Sequence, residues 1–284
     1  MWPPHVLDEL IRKTLAEDIG PGDITTGTVL RGDETGYARA TAKAGLVVAG
    51  IAVFGEVFRT LEPALTFLSR KRDGEKAIKG DVLAEISGSL APILTAERVA
   101  LNLLQRMCGI ATLTRRYVDA IAGTHAKILD TRKTAPGLRI LDKYAVRAGG
   151  GFNHRYALYD GVLIKDNHIA AAGGIGDAVR RVRGRIPHTL KIEVEVKNKG
   201  ELEEALIAGA DAILLDNMGL PEMAAAVKMI AGRIPIEASG NMTLERIREV
   251  AATGVDLISV GALTHSAAAA DISLNVVRVE KRET

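Results

Sequence analysis

Between Asp130 and His168 the chain reads DTRKTAPGLRILDKYAVRAGGGFNHRYALYDGVLIKDNH. Arg132, Lys133, Arg139, Arg147, His154, Arg155 and Lys165 crowd into this stretch beside a run of glycines. Such a density of cations is too high for an ordinary surface loop and suits a small substrate rich in carboxylate or phosphate oxygens. Guanidinium forks match planar oxyanions, and ammonium groups act as point charges. The demand is local, because 37 basic and 35 acidic residues leave a net charge of only +2. No global field recruits nucleic acid or a membrane surface. Aromatic residues, at 4%, are too sparse for a base-stacking platform.

Acids accompany the cations. In the apolar run KIEVEV, Lys191, Glu193 and Glu195 alternate, so as a strand all three side chains share one face and project into the interior. Charges buried there need cations, a metal or ligand hydroxyls. Glu195, nearer the end of the run, is the expected ligand; Glu193 is expected to be an ion-pair partner. Asp216 ends the run AILLD. Two turns, Ser239-Gly240-Asn241 and Val260-Gly261-Ala262, follow later apolar runs. Their backbone N–H groups are placed to converge on a phosphate. The chain has neither a GxGxxG fingerprint nor a Walker A loop, and HExxH, GxSxG and zinc-type His/Cys spacing are also missing.

The elements that must position these groups are legible from periodicity. Six short apolar runs span Lys127–Thr131, Gly161–Asp166, Lys191–Val196, Ala212–Asp216, Pro235–Ser239 and Leu257–Gly261. Helical patterns separate most of them, the signature of repeated βα units. Six units are two short of a closed eightfold barrel, so an open barrel and a doubly wound sheet both fit. Polar groups at the run ends favour the barrel, whose strand C-termini form one functional rim. The expected fold is α/β: an open six-stranded (β/α) barrel over residues 110–266, preceded by an N-terminal α+β sandwich domain over residues 1–109. The alternating segment Asp271–Val279 predicts a strand, and residues 267–284 are expected to return to the N-terminal domain. Within that domain the pattern predicts helices over His5–Asp18 and Ile51–Leu61 and strands over Tyr37–Lys43 and Leu46–Ala49. Thr95 is the expected N-cap of a helix through Met107, with a second helix ending before Gly123. Asp23 and Thr25 read as turn or helix-stop residues. The lone Cys108 excludes an intrachain disulfide and reads as a small buried filler in a reducing cytoplasm. No signal peptide and no bilayer-length apolar run is found.

The segments DTRKTAPGLR, KYAVRAGGGFNHRYALYDGVLIKDNHI, IEVEV, ILLDNM, EASGN and ISVGALTHS together resemble the quinolinate phosphoribosyltransferase family (nicotinate-nucleotide pyrophosphorylase, carboxylating). EDIGPGDITT and ERVALNLLQRMCGIAT extend the resemblance over nearly the whole chain. It implies an enzyme that moves phosphoribose from phosphoribosyl pyrophosphate to quinolinate, releasing carbon dioxide and pyrophosphate and giving nicotinate mononucleotide. It further implies that Arg132, His154, Arg155 and Lys165 line the quinolinate pocket, with Thr131 also binding substrate and Lys133 near the transferring centre. Arg98 is implied to come from a neighbouring subunit, which makes the expected state a homodimer with a shared site and leaves higher assembly open. Glu195 and Asp216 are implied to lie near the ribose hydroxyls and a magnesium ion held partly through substrate; no organic cofactor is expected. The two glycine turns are implied to take the 5′-phosphate. Arg139, Lys143 and Arg147 are open between touching substrate and ordering the loop through Asp142 and Asp160. His168 is open between supporting the site and simple packing. The rival readings are a same-fold transferase with another acceptor, such as the molybdenum-transport-associated homologues, and a non-catalytic sensor of an anionic metabolite.

Overall fold

The computed structural model describes residues 4–280. Among these the chain divides into two compact units, one of residues 4–113, 135–150 and 267–280 and the other of residues 114–134 and 151–266. The expected boundaries therefore shift at two places: residues 110–113 and residues 135–150, both read with the barrel, group with the first unit. Residues 1–3 and 281–284 of the expected domains lie outside the described residues.

In the first unit, helix α1 (Pro4–Ile19) and the short α2 (Ile24–Val29) precede strands β1 (Thr35–Ala42) and β2 (Leu46–Val47). Helix α3 (Ile51–Leu61) follows, then β3 (Thr66–Ser69), β4 (Lys76–Ala77) and β5 (Val82–Ser89). Alternation in β1 buries Ala38, Ala40 and Ala42 on one face. Phe54 and Phe58 of α3 meet edge to face with centroids 5.1 Å apart, as ring quadrupoles prefer. The GPGDITT segment does more than stop α1. Asp23 caps α2 by accepting the Thr26 N–H at 2.9 Å.

Helix α4 runs unbroken from Leu90 to Ala120, where two helices were expected. Thr95 is therefore not an N-cap; its hydroxyl donates to the Asp23 carboxylate at 3.1 Å. Within α4, Gly109 is a site of close approach. A Cβ there would overlap the Ala268 carbonyl, so glycine lets the returning C-terminal segment lie against the helix. Cys108 is fully buried, and burial pushes its thiol up to about 12.

The second unit holds β6 (Lys127–Leu129), β7 (Val162–Ile164), β8 (Ile192–Val196), β9 (Ala212–Asp216), β10 (Ile236–Ser239) and β11 (Leu257–Ser259). Their order, β6-β11-β10-β9-β8-β7, is parallel throughout. The edge strands β6 and β7 do not pair with each other, so the six-stranded barrel is open, and Phe152 bridges to Leu129 at the β6 edge. Between the strands lie α5 (Arg139–Ala148), which groups with the first unit, α6 (Asp166–Ala172), α7 (Ile175–Arg183), α8 (Lys199–Ile207), α9 (Leu220–Ile230) and α10 (Ile247–Ala252); α11 (Ala262–His265) follows β11. Helix α5 occupies what the sequence suggested was a loop excursion. Buried Asp142 anchors it, accepting from Arg106 Nε and Nη2 at 2.8 and 2.7 Å and from the Ala135 N–H at 3.1 Å.

Finally, β12 (Ile272–Glu280) pairs antiparallel with β1, giving the first unit a sheet of order β12-β1-β5-β3. Among the described residues no helix is long and apolar enough to cross a membrane.

Candidate active site

The C-terminal ends of the barrel strands enclose a cavity of about 840 Å³. Thr131, Arg132 and Lys133 follow β6, His154 and Arg155 lie in the segment before β7, and Lys165 follows β7. Glu195 is the penultimate residue of β8, Asp216 ends β9, Ser239 ends β10, and Gly240 and Asn241 follow it. Gly261 and Ala262 follow β11. All of these line the one cavity. Val260 does not: its side chain is buried and its N–H already donates to the Leu129 carbonyl at 2.9 Å, so it has no amide to offer a phosphate. Arg98 is exposed on α4, in the first unit, and is not part of the cavity wall.

Strand register explains the arrangement. Leu214 of β9 stands opposite Glu195 of β8 on one side and Glu237 of β10 on the other. Glu195, Leu214 and Glu237 thus form one level of the inward face, with Asp216 and Ser239 one level nearer the rim and Glu193 one level deeper. Lys191, expected on the same inner face, is exposed because the strand begins only at Ile192.

Charges in the wall are partly matched. Lys165 Nζ donates to Glu195 Oε2 at 2.6 Å, and the helix that follows is set by His168, whose Nδ1 accepts the Lys165 N–H at 3.0 Å. His168 therefore supports the backbone that carries Lys165. Arg155 Nη1 donates to the Gly161 carbonyl at 2.9 Å. Burial first, and then the charge of Arg132, hold the Arg155 guanidinium below its usual pKa. Two guanidiniums forced together in this way are relieved by an incoming dianion.

His154 lines the cavity and also turns toward acids of the wall. Its Nδ1 accepts the Arg155 N–H at 2.7 Å, which leaves the hydrogen on Nε2, directed at Glu193 Oε2 at 3.1 Å. The ring faces acids inside the barrel. Asp160, one of the two acids through which the neighbouring cations could order the loop, accepts the N–H groups of Tyr156 and Ala157 at 2.6 and 2.7 Å and so shapes the loop after Arg155.

The Ser239-Gly240-Asn241 turn is tightly specified. Gly240 has φ +93°, and a Cβ there would overlap Asn217 Oδ1. Asn217 is itself left-handed at φ 55°, and its Oδ1 accepts from Asn241 Nδ2 at 3.3 Å. Asn217, Glu237, Ser259 and His265 line the cavity as well, although the sequence reading passed over them. Period two could have found Glu237, since it and Ser239 are two apart like Glu193 and Glu195.

An open parallel barrel whose strand ends gather cations, two rim-facing acids and a glycine turn into one cavity defines an enzyme of phosphorylated, carboxylated small molecules. The comparisons narrow the class. The chain matches the models for the quinolinate phosphoribosyl transferase N-terminal domain over residues 23–108 and C-terminal domain over residues 110–275. It is 46% identical over 270 residues to a probable nicotinate-nucleotide pyrophosphorylase (carboxylating) of Bacillus subtilis, covering 95% of this chain and 93% of that one. It is 43% identical to the chloroplastic nicotinate-nucleotide pyrophosphorylase (carboxylating) of Arabidopsis thaliana, covering 96% of this chain and 84% of that one. The crystal structure of NadC from Streptococcus pyogenes superposes with a TM-score of 0.94 at 40% identity, covering 100% of this chain and 99% of that one. The chain belongs to the quinolinate phosphoribosyl transferase family.

Proposed function

We propose that this protein transfers phosphoribose from phosphoribosyl pyrophosphate to the ring nitrogen of quinolinate, with loss of the adjacent carboxylate as carbon dioxide, giving nicotinate mononucleotide and pyrophosphate. The observation that carries the reading is the single cavity in which Arg132, Lys133, Arg155 and Lys165 converge on Glu195 and Asp216. Cations alone would suit any anion, but acids beside them require a ligand that also carries hydroxyls or brings a metal.

In this reading Arg132 and Arg155 grip the two carboxylates of quinolinate, helped by Thr131 and Lys165, while Lys133 lies against Gly261 near the transferring centre. His154 holds its place in the wall through Glu193 and the Arg155 amide. Glu195 and Asp216 face the ribose hydroxyls and stabilise positive charge at the anomeric carbon as pyrophosphate departs. Gly240, Asn241, Gly261 and Ala262 offer backbone amides to the 5′-phosphate, beside the Ser239 hydroxyl. Carboxylate oxygens on adjacent strands suit Mg²⁺, so Glu195 and Asp216 would hold it partly through substrate, and there it would supply positive charge to a departing pyrophosphate. Arg98 reaches the site of a second subunit, and the working unit is a homodimer in the cytoplasm, in keeping with the buried reduced thiol of Cys108.

The test is incubation with quinolinate, phosphoribosyl pyrophosphate and Mg²⁺, reading nicotinate mononucleotide by chromatography, with nicotinate as a parallel acceptor. Quinolinate is expected to be used at least about 100-fold better, because nicotinate leaves part of the cation set unpaired. Arg132→Ala is expected to lower kcat/KM for quinolinate by about 100-fold or more. Comparable turnover of nicotinate, or near-normal turnover by Arg132→Ala, would remove the proposed acceptor pocket.

A further inference from the structure

One level below the rim, His154 Nε2 lies 3.1 Å from Glu193 Oε2 and 3.6 Å from Glu237 Oε2. Glu237 is 2% exposed yet belongs to the cavity wall, and its Oε1 has no hydrogen-bond partner. Three ligand atoms within 4.8 Å of one another could hold a metal ion. The tautomer of His154 argues against one. With Nδ1 accepting the Arg155 N–H, Nε2 carries the hydrogen and has no lone pair for a cation. That hydrogen goes to the nearer acid, Glu193, while Glu237 Oε2 stands farther off at 3.6 Å.

Burial of a carboxyl in that position disfavours its charged form. Groups from four sides face it: Glu193 on β8, His154 before β7, Asp130 after β6 and the Ser259 hydroxyl on β11. Burial first, then the charge of Glu193 and more weakly that of Asp130, push Glu237 up to about 7, against the opposing pull of His154 and Ser259.

We propose that Glu237 is the acid that returns a proton to the ring carbon from which carbon dioxide departs. The proposal rests on the transferase reading above. Once the ring nitrogen carries ribose, the bond from the ring to the adjacent carboxylate breaks heterolytically. Carbon dioxide leaves and the electron pair stays on the ring carbon. The product has hydrogen there, so one proton must arrive, or the pair recaptures carbon dioxide. Arg132 and Arg155 keep their protons throughout. Glu237 gives its carboxyl proton to form the new C–H bond, becomes a carboxylate, and takes a proton back from solvent when product leaves.

Rapid-quench single turnover with Mg²⁺ present separates the two events, since pyrophosphate reports transfer and carbon dioxide reports decarboxylation. Glu237→Gln, nearly isosteric, is expected to release pyrophosphate within about 3-fold of the native rate and carbon dioxide about 100-fold more slowly. The ribosylated dicarboxylate accumulates between them. Glu237→Asp, which keeps an acid on a shorter stem, is expected to recover part of the carbon dioxide rate. Equal slowing of both products, or an unchanged carbon dioxide rate, overturns the assignment. If Glu237→Gln fails to fold by circular dichroism, Glu237→Asp is read alone under the same criterion. Native protein that makes no nicotinate mononucleotide would refute the transferase reading itself, a result distinct from either outcome in the variants.

Discussion

Glu237 holds a proton at pH values where an unfolded chain has released it, and stability must register the difference. The ordinary carboxyl value is 4.5, and the folded value is about 7. Between these limits the native state binds more protons than the unfolded state, so this group makes stability fall as pH rises. Below 4.5 its contribution is fully present; above about 7 it is lost. Glu237→Gln, which cannot ionise, is expected to flatten this part of the curve. Its melting temperature relative to the native protein should rise from pH 5 to pH 8, measured by differential scanning calorimetry in matched buffers. A constant difference across that range would show that Glu237 does not titrate in the window. The residue also shows where reading a sequence stops. Glu193 and Glu195 announce themselves as a pair inside KIEVEV, whereas a single glutamate in IEAS has the same spelling as a solvent-facing one. His154 is legible as a site residue, but the amide its Nδ1 accepts and the acid its Nε2 faces are set by the fold, and no spacing encodes them.

Elements were more legible than side-chain roles. The six apolar runs became the six strands because short β-rich stretches bounded by turn residues have few other ways to bury themselves. The exceptions came from glycine, whose meaning is set by what lies opposite it. Gly109 follows Met107, the expected helix end, and is a docking point for backbone within a continuous helix. The glycines after Ala148 hid a helix whose anchor, the Arg106–Asp142 fork, joins residues 36 apart. Gly240 was recognised correctly as a turn, and the structure adds why nothing else fits. Gly240→Ala places a Cβ onto Asn217 Oδ1 from a left-handed backbone, at a cost of about 1–3 kcal/mol. The expected result is a KM for phosphoribosyl pyrophosphate raised about 10-fold or more, with quinolinate affinity little changed in equilibrium titration. Loss of quinolinate binding to the same degree would mean that the turn supports the whole cavity rather than the phosphate.

At the scale of the molecule, the proposed donation of Arg98 by a second subunit makes activity a property of pairs. Arg98→Ala and Glu195→Gln are each expected to be nearly inactive alone, because every site lacks one component. Mixed after dissociation and reassembly, they form heterodimers in which one of the two sites is intact. Recovery of about a quarter of native activity is expected for random pairing of a twofold-symmetric dimer. No recovery, with heterodimers verified by native mass spectrometry, would place Arg98 outside the shared site.

The pairing of β12 with β1 bears on how the chain is made. Synthesis delivers β1, β5 and β3 early, yet the edge of β1 stays unsatisfied until Ile272–Glu280 leaves the ribosome. All six strands of the parallel sheet are complete before that moment. The unit that begins first therefore finishes last, and for most of translation it carries an open strand edge of the kind that templates misassembly. A nascent chain stalled short of β12 is the form in which this protein is most exposed to aggregation and most in need of a chaperone.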